Sequence, residues 1–204
     1  MTTGLILLNV TCVSFFLLSF IAFFNPLKVN LIANRWFAVF LFSLGSATLD
    51  VIINATNTVD EHYRMIAFDE LSRFALMPAL YLSVLHYTSP DKVFRKREYL
   101  HLLPFLIFFI CASPFVITPR WTFFNPGVFP SIFKTVLQLF IKLSIPLQMV
   151  IYWLLSYNKL VRHAKNIQLV ASNTQTINLR WLKFILFGIL LMIIVNLTDR
   201  IYGH

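Results

Sequence analysis

Charged residues are scarce in this sequence: they make up 12% of 204 positions, and acidic residues number only 8. Hydrophobic residues reach 58%, and the mean hydropathy is +0.76. Soluble domains carry about 25% charged residues, so this composition excludes a water-soluble protein. A bilayer core about 30 Å thick needs roughly 20 apolar residues per helix. The chain therefore has room for roughly five to seven membrane-spanning helices, and we predict an all-α membrane fold.

Residues that carry enzyme chemistry are also sparse. Cys12 and Cys111 lie inside apolar runs and lack the spacing of a disulfide framework or a metal site. There is no G-x-S-x-G, H-E-x-x-H or phosphate-binding G-x-x-x-x-G-K motif, and the 5 histidines are dispersed. The basic residues are scattered between apolar runs, which is unlike a nucleic-acid-binding stripe. We expect no enzyme activity, no cofactor and no metal.

Six apolar runs predict a single-domain, polytopic bundle of six spans. The third run is the weakest because Ser72 and Arg73 interrupt it, so we expect that helix to be partly buried against its neighbours. Interior prolines such as Pro78 free backbone groups that neighbouring helices must satisfy. The small residues at 43–47 offer a surface for close helix approach. The predicted spans are residues 5–24, 36–53, 71–88, 102–118, 132–155 and 181–197.

The distribution of basic residues predicts the orientation. Lysine and arginine accumulate in cytoplasmic loops. The first, third and fifth loops hold 10 of them, whereas the second loop, the fourth loop and the carboxyl tail hold 3. We therefore predict that the odd-numbered loops lie inside and that both termini lie outside. Within the fifth loop, the polar segment 166–178 is the best candidate for a mobile inner loop.

The fifth predicted span carries Lys134, Gln138 and Lys142 on one helical face, four residues apart. Lys142 would lie about 15 Å below Ile132, near the bilayer midplane. A lysine there costs several kcal/mol unless it meets a carboxylate, water or a ligand, so we expect it to face the bundle interior. Its available carboxylate partners are Asp50, Glu70 and Asp199.

These polar positions predict a cavity open to the outside, in which cations bind the charged part of an anionic or amphipathic ligand and apolar walls hold its hydrocarbon part. An alternative is that the charges are ordinary interfacial residues and that Lys142 forms one internal ion pair. Asp69 and Arg73, four residues apart, can also pair along one helix face. The candidate ligand-binding residues are Lys142, Gln138, Lys134, Arg73, Asp50, Glu70 and Asn196.

Several short motifs occur in the same order as in one bacterial family. Residues 25–35 (NPLKVNLIANR) resemble the first inner loop of membrane-bound AraC-type transcriptional regulators. Residues 78–82 (PALYL) and 88–90 (TSP) are similar to that family's third span and its end. Residues 101–105 (HLLPF) and 179–182 (LRWL) resemble the beginnings of its fourth and sixth spans. The resemblance covers nearly the whole chain.

This resemblance implies a seven-span sensor in the bacterial inner membrane, followed by a cytoplasmic helix-turn-helix region. The sequence departs from that pattern by stopping after the sixth predicted span, without a seventh span or DNA-binding helices. We therefore expect no direct nucleic-acid contact by these residues. The expected partners are the lipid bilayer and a small or amphipathic ligand, and a homodimer is compatible with the pattern.

Other functions remain open at this point. A small transporter or channel subunit would use the outer polar cavity as half of a pathway. Such a protein should show polar residues continuing inward, and often a weak internal repeat, and the sequence shows neither. A structural partner in a membrane complex is a further alternative. The leading prediction is a sensor or receptor module.

Overall fold

The computed structural model describes residues 3–25, 30–56, 63–89, 96–117, 131–170 and 179–202. Within these ranges the chain is helical and contains no strand, which confirms the predicted all-α fold. The described elements are α1 (Thr3–Phe24), α2 (Leu31–Ala55), α3 (Tyr63–Tyr87), a 3₁₀ helix (Lys96–Leu102), α4 (Leu103–Ile117), α5 (Ser131–Val170) and α6 (Arg180–Tyr202).

Three of the described helices are long and apolar enough to cross a membrane: α1, α2 and the part of α6 from Arg180 to Thr198. Much of their apolar surface is uncovered by the rest of the chain, as at Leu7, Val13 and Phe184. Lipid solvates such a surface, whereas a soluble monomer rarely exposes so much of it. These three helices could therefore cross a membrane, as expected of a membrane protein. The full count of six spans stays a prediction.

α3 lies at the centre of the helix bundle and contacts α2, α4 and α5. All side chains at positions 74–80 and 82–86 are buried, so α3 is covered around its circumference. A helix enclosed by protein does not need a lipid-facing apolar surface, and it therefore tolerates polar residues such as Ser72 and Ser83. This confirms the expectation that the third predicted span is partly buried against its neighbours.

Pro78 of α3 has the compensating contact that its chemistry requires. Pro78 lies inside α3 and has no backbone N–H, so the carbonyl of Phe74, four residues earlier, loses its helical donor. Gln148 of α5 donates its side-chain N–H to that carbonyl at 3.0 Å and is itself buried. The expected rescue of a freed backbone group by a neighbouring helix is confirmed here.

α1 and α2 pack closely along small side chains. The Cys12 thiol donates to the Gly45 carbonyl at 3.5 Å, and the Ser19 hydroxyl donates to the Ala38 carbonyl at 2.8 Å. A Cβ atom on Gly45 would lie 3.0 Å from the Phe16 ring. Close approach at this small-residue surface is therefore confirmed, and it depends on glycine at position 45.

The fifth helix is longer than its predicted span. α5 runs through Ser131–Val170, 40 residues, or about 60 Å at 1.5 Å per residue. Lys159, Arg162 and Lys165 therefore lie on a continuous helix instead of in a loop. The mobile-loop prediction for 166–178 was wrong for 166–170, because a helix that is already formed extends by one hydrogen bond for each residue added. Residues 171–178 lie outside the described ranges.

α6 packs on the bundle through one stripe and leaves its other faces uncovered. Leu182, Leu186, Ile189 and Ile193 recur at helical spacing and are buried. The indole N–H of Trp153 in α5 donates to the Leu186 carbonyl at 2.8 Å. The predicted sixth span, 181–197, falls within this helix.

Candidate functional site

A charged cluster joins α2 to α3. Asp50 lies near the end of α2, and Asp69 and Arg73 lie in the first half of α3. The Nη2 atom of Arg73 is 2.7 Å from a carboxylate oxygen of Asp50 and 2.7 Å from one of Asp69. Asn54 donates a hydrogen bond of 3.1 Å to the Asp50 carboxylate. We call Asp50, Asp69 and Arg73 the arginine cluster.

Because its carboxylates are largely buried, the arginine cluster holds α2 and α3 together. The side chains of Asp69 and Asp50 are 4% and 15% exposed, and that of Arg73 is 34% exposed. Removing an ion from water costs several kcal/mol, so enclosed carboxylates depend on their cation. Spacing of four residues places Asp69 and Arg73 on one helix face, as predicted. From that face Arg73 also reaches Asp50, which holds α2 against α3.

The structure brings together only some of the predicted ligand-binding residues. Arg73 and Asp50 are in direct contact, so Asp50, one of the three carboxylates named as available to Lys142, pairs with Arg73. Asn196 is exposed on α6. The side chains of Glu70, Lys134, Gln138 and Asp199 lie outside the described part of the structure.

Lys142 is exposed on α5, so the expectation that it faces the bundle interior was wrong. That expectation took Ile132 as the membrane surface and calculated the depth of Lys142 from it. α5 is about twice as long as the hydrocarbon core is thick, so its first residues need not mark the membrane surface. A long lysine side chain can also direct its ammonium along the helix toward water or headgroups. The role of Lys142 in ligand binding stays a prediction.

A second polar cluster lies at the opposite end of α3. His86 Nε2 is 3.1 Å from Glu98 Oε2, and the two side chains are 2% and 6% exposed. Glu98 belongs to the 3₁₀ helix Lys96–Leu102, so this contact ties α3 to the segment that leads into α4. Histidine is charged only when protonated, so the contact is an ion pair in one protonation state and a hydrogen bond in the other.

Aromatic and imidazole side chains surround this pair. His101 Nδ1 is 3.1 Å from the Tyr152 hydroxyl, which brings the 3₁₀ helix against α5. The ring centroid of Tyr81 is 4.9 Å from that of His101 and 5.8 Å from that of Tyr152. Three elements therefore meet at this end of the bundle. We call His86, Glu98, Tyr81, His101 and Tyr152 the histidine cluster.

α2 and α6 also contact this end of α3, through Tyr87. The Tyr87 hydroxyl donates a hydrogen bond to the side-chain oxygen of Asn34 in α2. The indole ring of Trp181, near the start of α6, packs edge-on against Tyr87 with centroids 5.3 Å apart. Tyr87 therefore connects the central helix to both of these neighbours.

His163 on the extended part of α5 packs against the end of α3. Burial lowers the pKa of His163 below its ordinary value of 6.5, and the nearby charge of Lys159 lowers it further. A hydrogen bond with the Thr88 backbone acts in the opposite direction on this pKa. The neutral imidazole is therefore the form that the folded protein favours.

The histidine cluster was missed in the sequence because its members are far apart along the chain. His86 and Glu98 are 12 residues apart, and His101 and Tyr152 are 51 apart. One signal was present: Glu98 directly follows the basic residues 95–97, where an acidic side chain is unexpected. No helical periodicity relates these positions, so only the packing of different helices could bring them together.

The two clusters lie at opposite ends of the same buried helix. From Asp69 to His86 the rise along α3 is about 26 Å, at 1.5 Å per residue. Within the described ranges, no group of three or more His, Cys, Asp and Glu side chains is arranged to hold a metal ion. The arrangement is suited to joining helices and responding to charge.

No protein-family model, curated protein or solved structure matches this chain.

Proposed function

We propose that this chain is the membrane sensor module of a signal-responsive transcriptional regulator, crossing the bacterial inner membrane six times with its amino terminus outside. The observation that carries the proposal is the central helix α3, whose side chains at 74–80 and 82–86 are buried and which bears a polar cluster at either end of that stretch. A signal at one cluster can alter the packing at the other through this helix. The resemblance to membrane-bound AraC-type regulators agrees with this role.

The spacing of the two clusters supports a membrane-crossing α3. The rise of about 26 Å between Asp69 and His86 is close to the hydrocarbon thickness of about 30 Å. Charged and titratable groups would then lie near the two membrane boundaries, where water and headgroups can solvate them. Burial by α2, α4 and α5 explains why α3 needs little apolar surface of its own.

Basic side chains support the orientation of the bundle. Lys96 and Arg97, from the predicted third loop, are exposed beside the histidine cluster. Arg35, from the predicted first loop, and Arg162, from the predicted fifth loop, are also exposed. The positive-inside tendency then puts the histidine cluster at the cytoplasmic side and the arginine cluster outside. An external ligand would therefore meet the arginine cluster first.

The proposed response begins with competition for Arg73. An anionic ligand that draws the guanidinium away from Asp50 weakens the link between α2 and α3. Pro78 removes one helical hydrogen bond of α3, and Gln148 of α5 holds the freed Phe74 carbonyl, so the two halves of α3 can shift relative to each other at this point. The shift reaches the histidine cluster. Such a response requires the ligand to bind the two packings with different affinity.

Cysteine accessibility tests the orientation. In a variant with Cys12 and Cys111 replaced by alanine, single cysteines would be placed at Thr56 and at Tyr99, which are both exposed. We expect a membrane-impermeant maleimide to label Thr56→Cys in intact cells and Tyr99→Cys only after permeabilisation. The reverse pattern would invert the proposed receptor and exclude this mechanism.

Amide hydrogen exchange tests the coupling between the clusters. With the full chain in lipid nanodiscs, we expect Arg73→Met to increase exchange at residues 96–102, the 3₁₀ helix that contacts His86, and His86 lies about 20 Å from Arg73 along α3. Val51→Ala is the matched control because Val51 is exposed beside Asp50 and lies outside the arginine cluster. The milder Asp50→Asn variant serves if Arg73→Met loosens the whole bundle. Unchanged exchange at 96–102 in both cluster variants would refute the sensor mechanism.

A further inference from the structure

A groove between α1 and α2 lies on the exposed surface of the helix bundle. Its volume is about 420 Å³, within the range of small-molecule sites. Phenylalanine rings form most of its wall, and several of them contact one another: the centroids of Phe16 and Phe42 are 5.3 Å apart, and those of Phe20 and Phe24 are 4.5 Å apart. Phe23 completes the set of five rings.

The groove offers hydrocarbon contacts to its occupant. Ser19 is the hydroxyl residue of the lining, and its hydroxyl already donates to the Ala38 carbonyl. Phe20, Phe23 and Phe24 are 62%, 49% and 63% exposed, so their rings line an open channel instead of a closed core. A flexible apolar chain fits such a channel better than a polar molecule does.

The groove extends over most of the hydrocarbon thickness of one lipid leaflet. Phe16 and Phe24 mark its extent along α1, and eight residues of helix correspond to about 12 Å. Half of a hydrocarbon core about 30 Å thick is about 15 Å. Because Phe24 is the last residue of α1, the groove begins at the end of the helix and runs toward the middle of the membrane.

A cation lies at the mouth of the groove. Arg35, in the second turn of α2, is exposed, and its guanidinium carbon is 5.9 Å from the centroid of the Phe23 ring. A guanidinium presents a planar set of donors that matches phosphate oxygens. An anionic headgroup and a hydrocarbon chain are thus recognised by adjacent parts of one surface.

We propose that this groove binds one acyl chain of an anionic phospholipid from the leaflet at the α1–α2 turn, with the headgroup phosphate on Arg35. The site is separate from the arginine and histidine clusters, and the proposal does not depend on the sensor function. A bound lipid covers the exposed rings of α1, the helix that contacts the bundle mainly through α2.

Native mass spectrometry of the full chain, released from nanodiscs, tests this site. The nanodiscs would contain phosphatidylglycerol and phosphatidylcholine with identical acyl chains. We expect preferential retention of phosphatidylglycerol, and we expect Arg35→Gln to reduce that preference about fivefold, the contribution of one basic residue near an anionic surface. Arg35→Lys should retain part of the preference because it keeps the charge.

Matched variants separate the groove from general surface effects. Arg97→Gln removes another exposed arginine at the same membrane side and should lower the preference less than Arg35→Gln does, because Arg35 is the arginine that packs on a ring of the groove. Phe20→Ala should lower retention of both lipids, whereas Phe184→Ala, at a 76% exposed ring on α6, should not. Equal effects of Arg35→Gln and Arg97→Gln would overturn the proposal.

A second copy of this chain is the competing occupant. In the background lacking Cys12 and Cys111, a cysteine at Phe20 would form a disulfide dimer under mild oxidation if two grooves faced each other. Efficient dimerisation that phosphatidylglycerol does not reduce would overturn the lipid assignment. A monomer that retains phosphatidylglycerol would support it.

Discussion

Replacing Arg73 with methionine should destabilise the bundle far more than neutralising one of its carboxylate partners. The same Nη2 atom contacts Asp50 and Asp69, each at 2.7 Å, so Arg73→Met leaves two carboxylates without this cation. Removing one partner of a buried pair costs about 3–5 kcal/mol. Because the Arg73 side chain is 34% exposed, water compensates in part, and we expect about 3 kcal/mol.

Asp50→Asn is the informative comparison. In that variant Arg73 keeps its contact with the more deeply buried Asp69, so the expected loss is about 1 kcal/mol, as for a partly exposed pair. In the Arg73→Met background the same change should restore stability by about 1 kcal/mol, because it removes one uncompensated charge. The sign of the Asp50→Asn effect therefore reverses with the residue at position 73.

The assay is reversible unfolding in mixed micelles by increasing SDS, followed by circular dichroism. Arg162→Met, which removes an exposed arginine on α5, is the matched control and should change stability little. Additive losses for Arg73→Met and Asp50→Asn, or equal losses in the two single variants, would refute a guanidinium shared between two carboxylates.

Three further predictions follow from the packing and the charges. Gly45→Ala should lose about 1–3 kcal/mol in the same assay, because the new Cβ would lie 3.0 Å from the Phe16 ring; Gly188→Ala, with open space around its Cβ position, should not lose stability. Because burial lowers the pKa of His163, the unfolded state binds more protons than the folded state just below pH 6.5. Wild-type stability should therefore fall as the pH drops below 6.5, and unfolding of His163→Gln at a series of pH values should show a flatter dependence. Decanoate, an anionic amphiphile, should increase amide exchange at residues 96–102 in the wild type by competing with Asp50 for Arg73, as the proposed response requires; exchange that decanoate leaves unchanged would exclude this competition.

Some features of the site were predictable because they depend on residues close together in the chain. Asp69 and Arg73 are one helical turn apart, so their pairing follows from helix geometry. Pro78 lacks an N–H, so some neighbour had to satisfy the Phe74 carbonyl. The sequence could not identify that neighbour as Gln148, which is 74 residues away from Phe74.

The residues in contact at the two ends of α3 depended on tertiary packing. Asp50 had several possible cationic partners, and only the position of α2 beside α3 selects Arg73. Glu98 follows a run of basic residues in the sequence, but the fold places its carboxylate in contact with His86 at the end of α3. The direction of Lys142 also depends on how α5 lies against its neighbours, which its four-residue spacing does not specify.

Sequence alone determined that this protein consists of apolar helices suited to a membrane, because apolar content and run length follow directly from composition. It also determined the local i, i+4 contacts and the need to compensate each interior proline. Tertiary structure decided that α3 is the central helix and that its two ends carry the polar clusters. The physical reason is that helical periodicity defines which residues share a face, whereas the partner covering that face comes from a distant part of the chain.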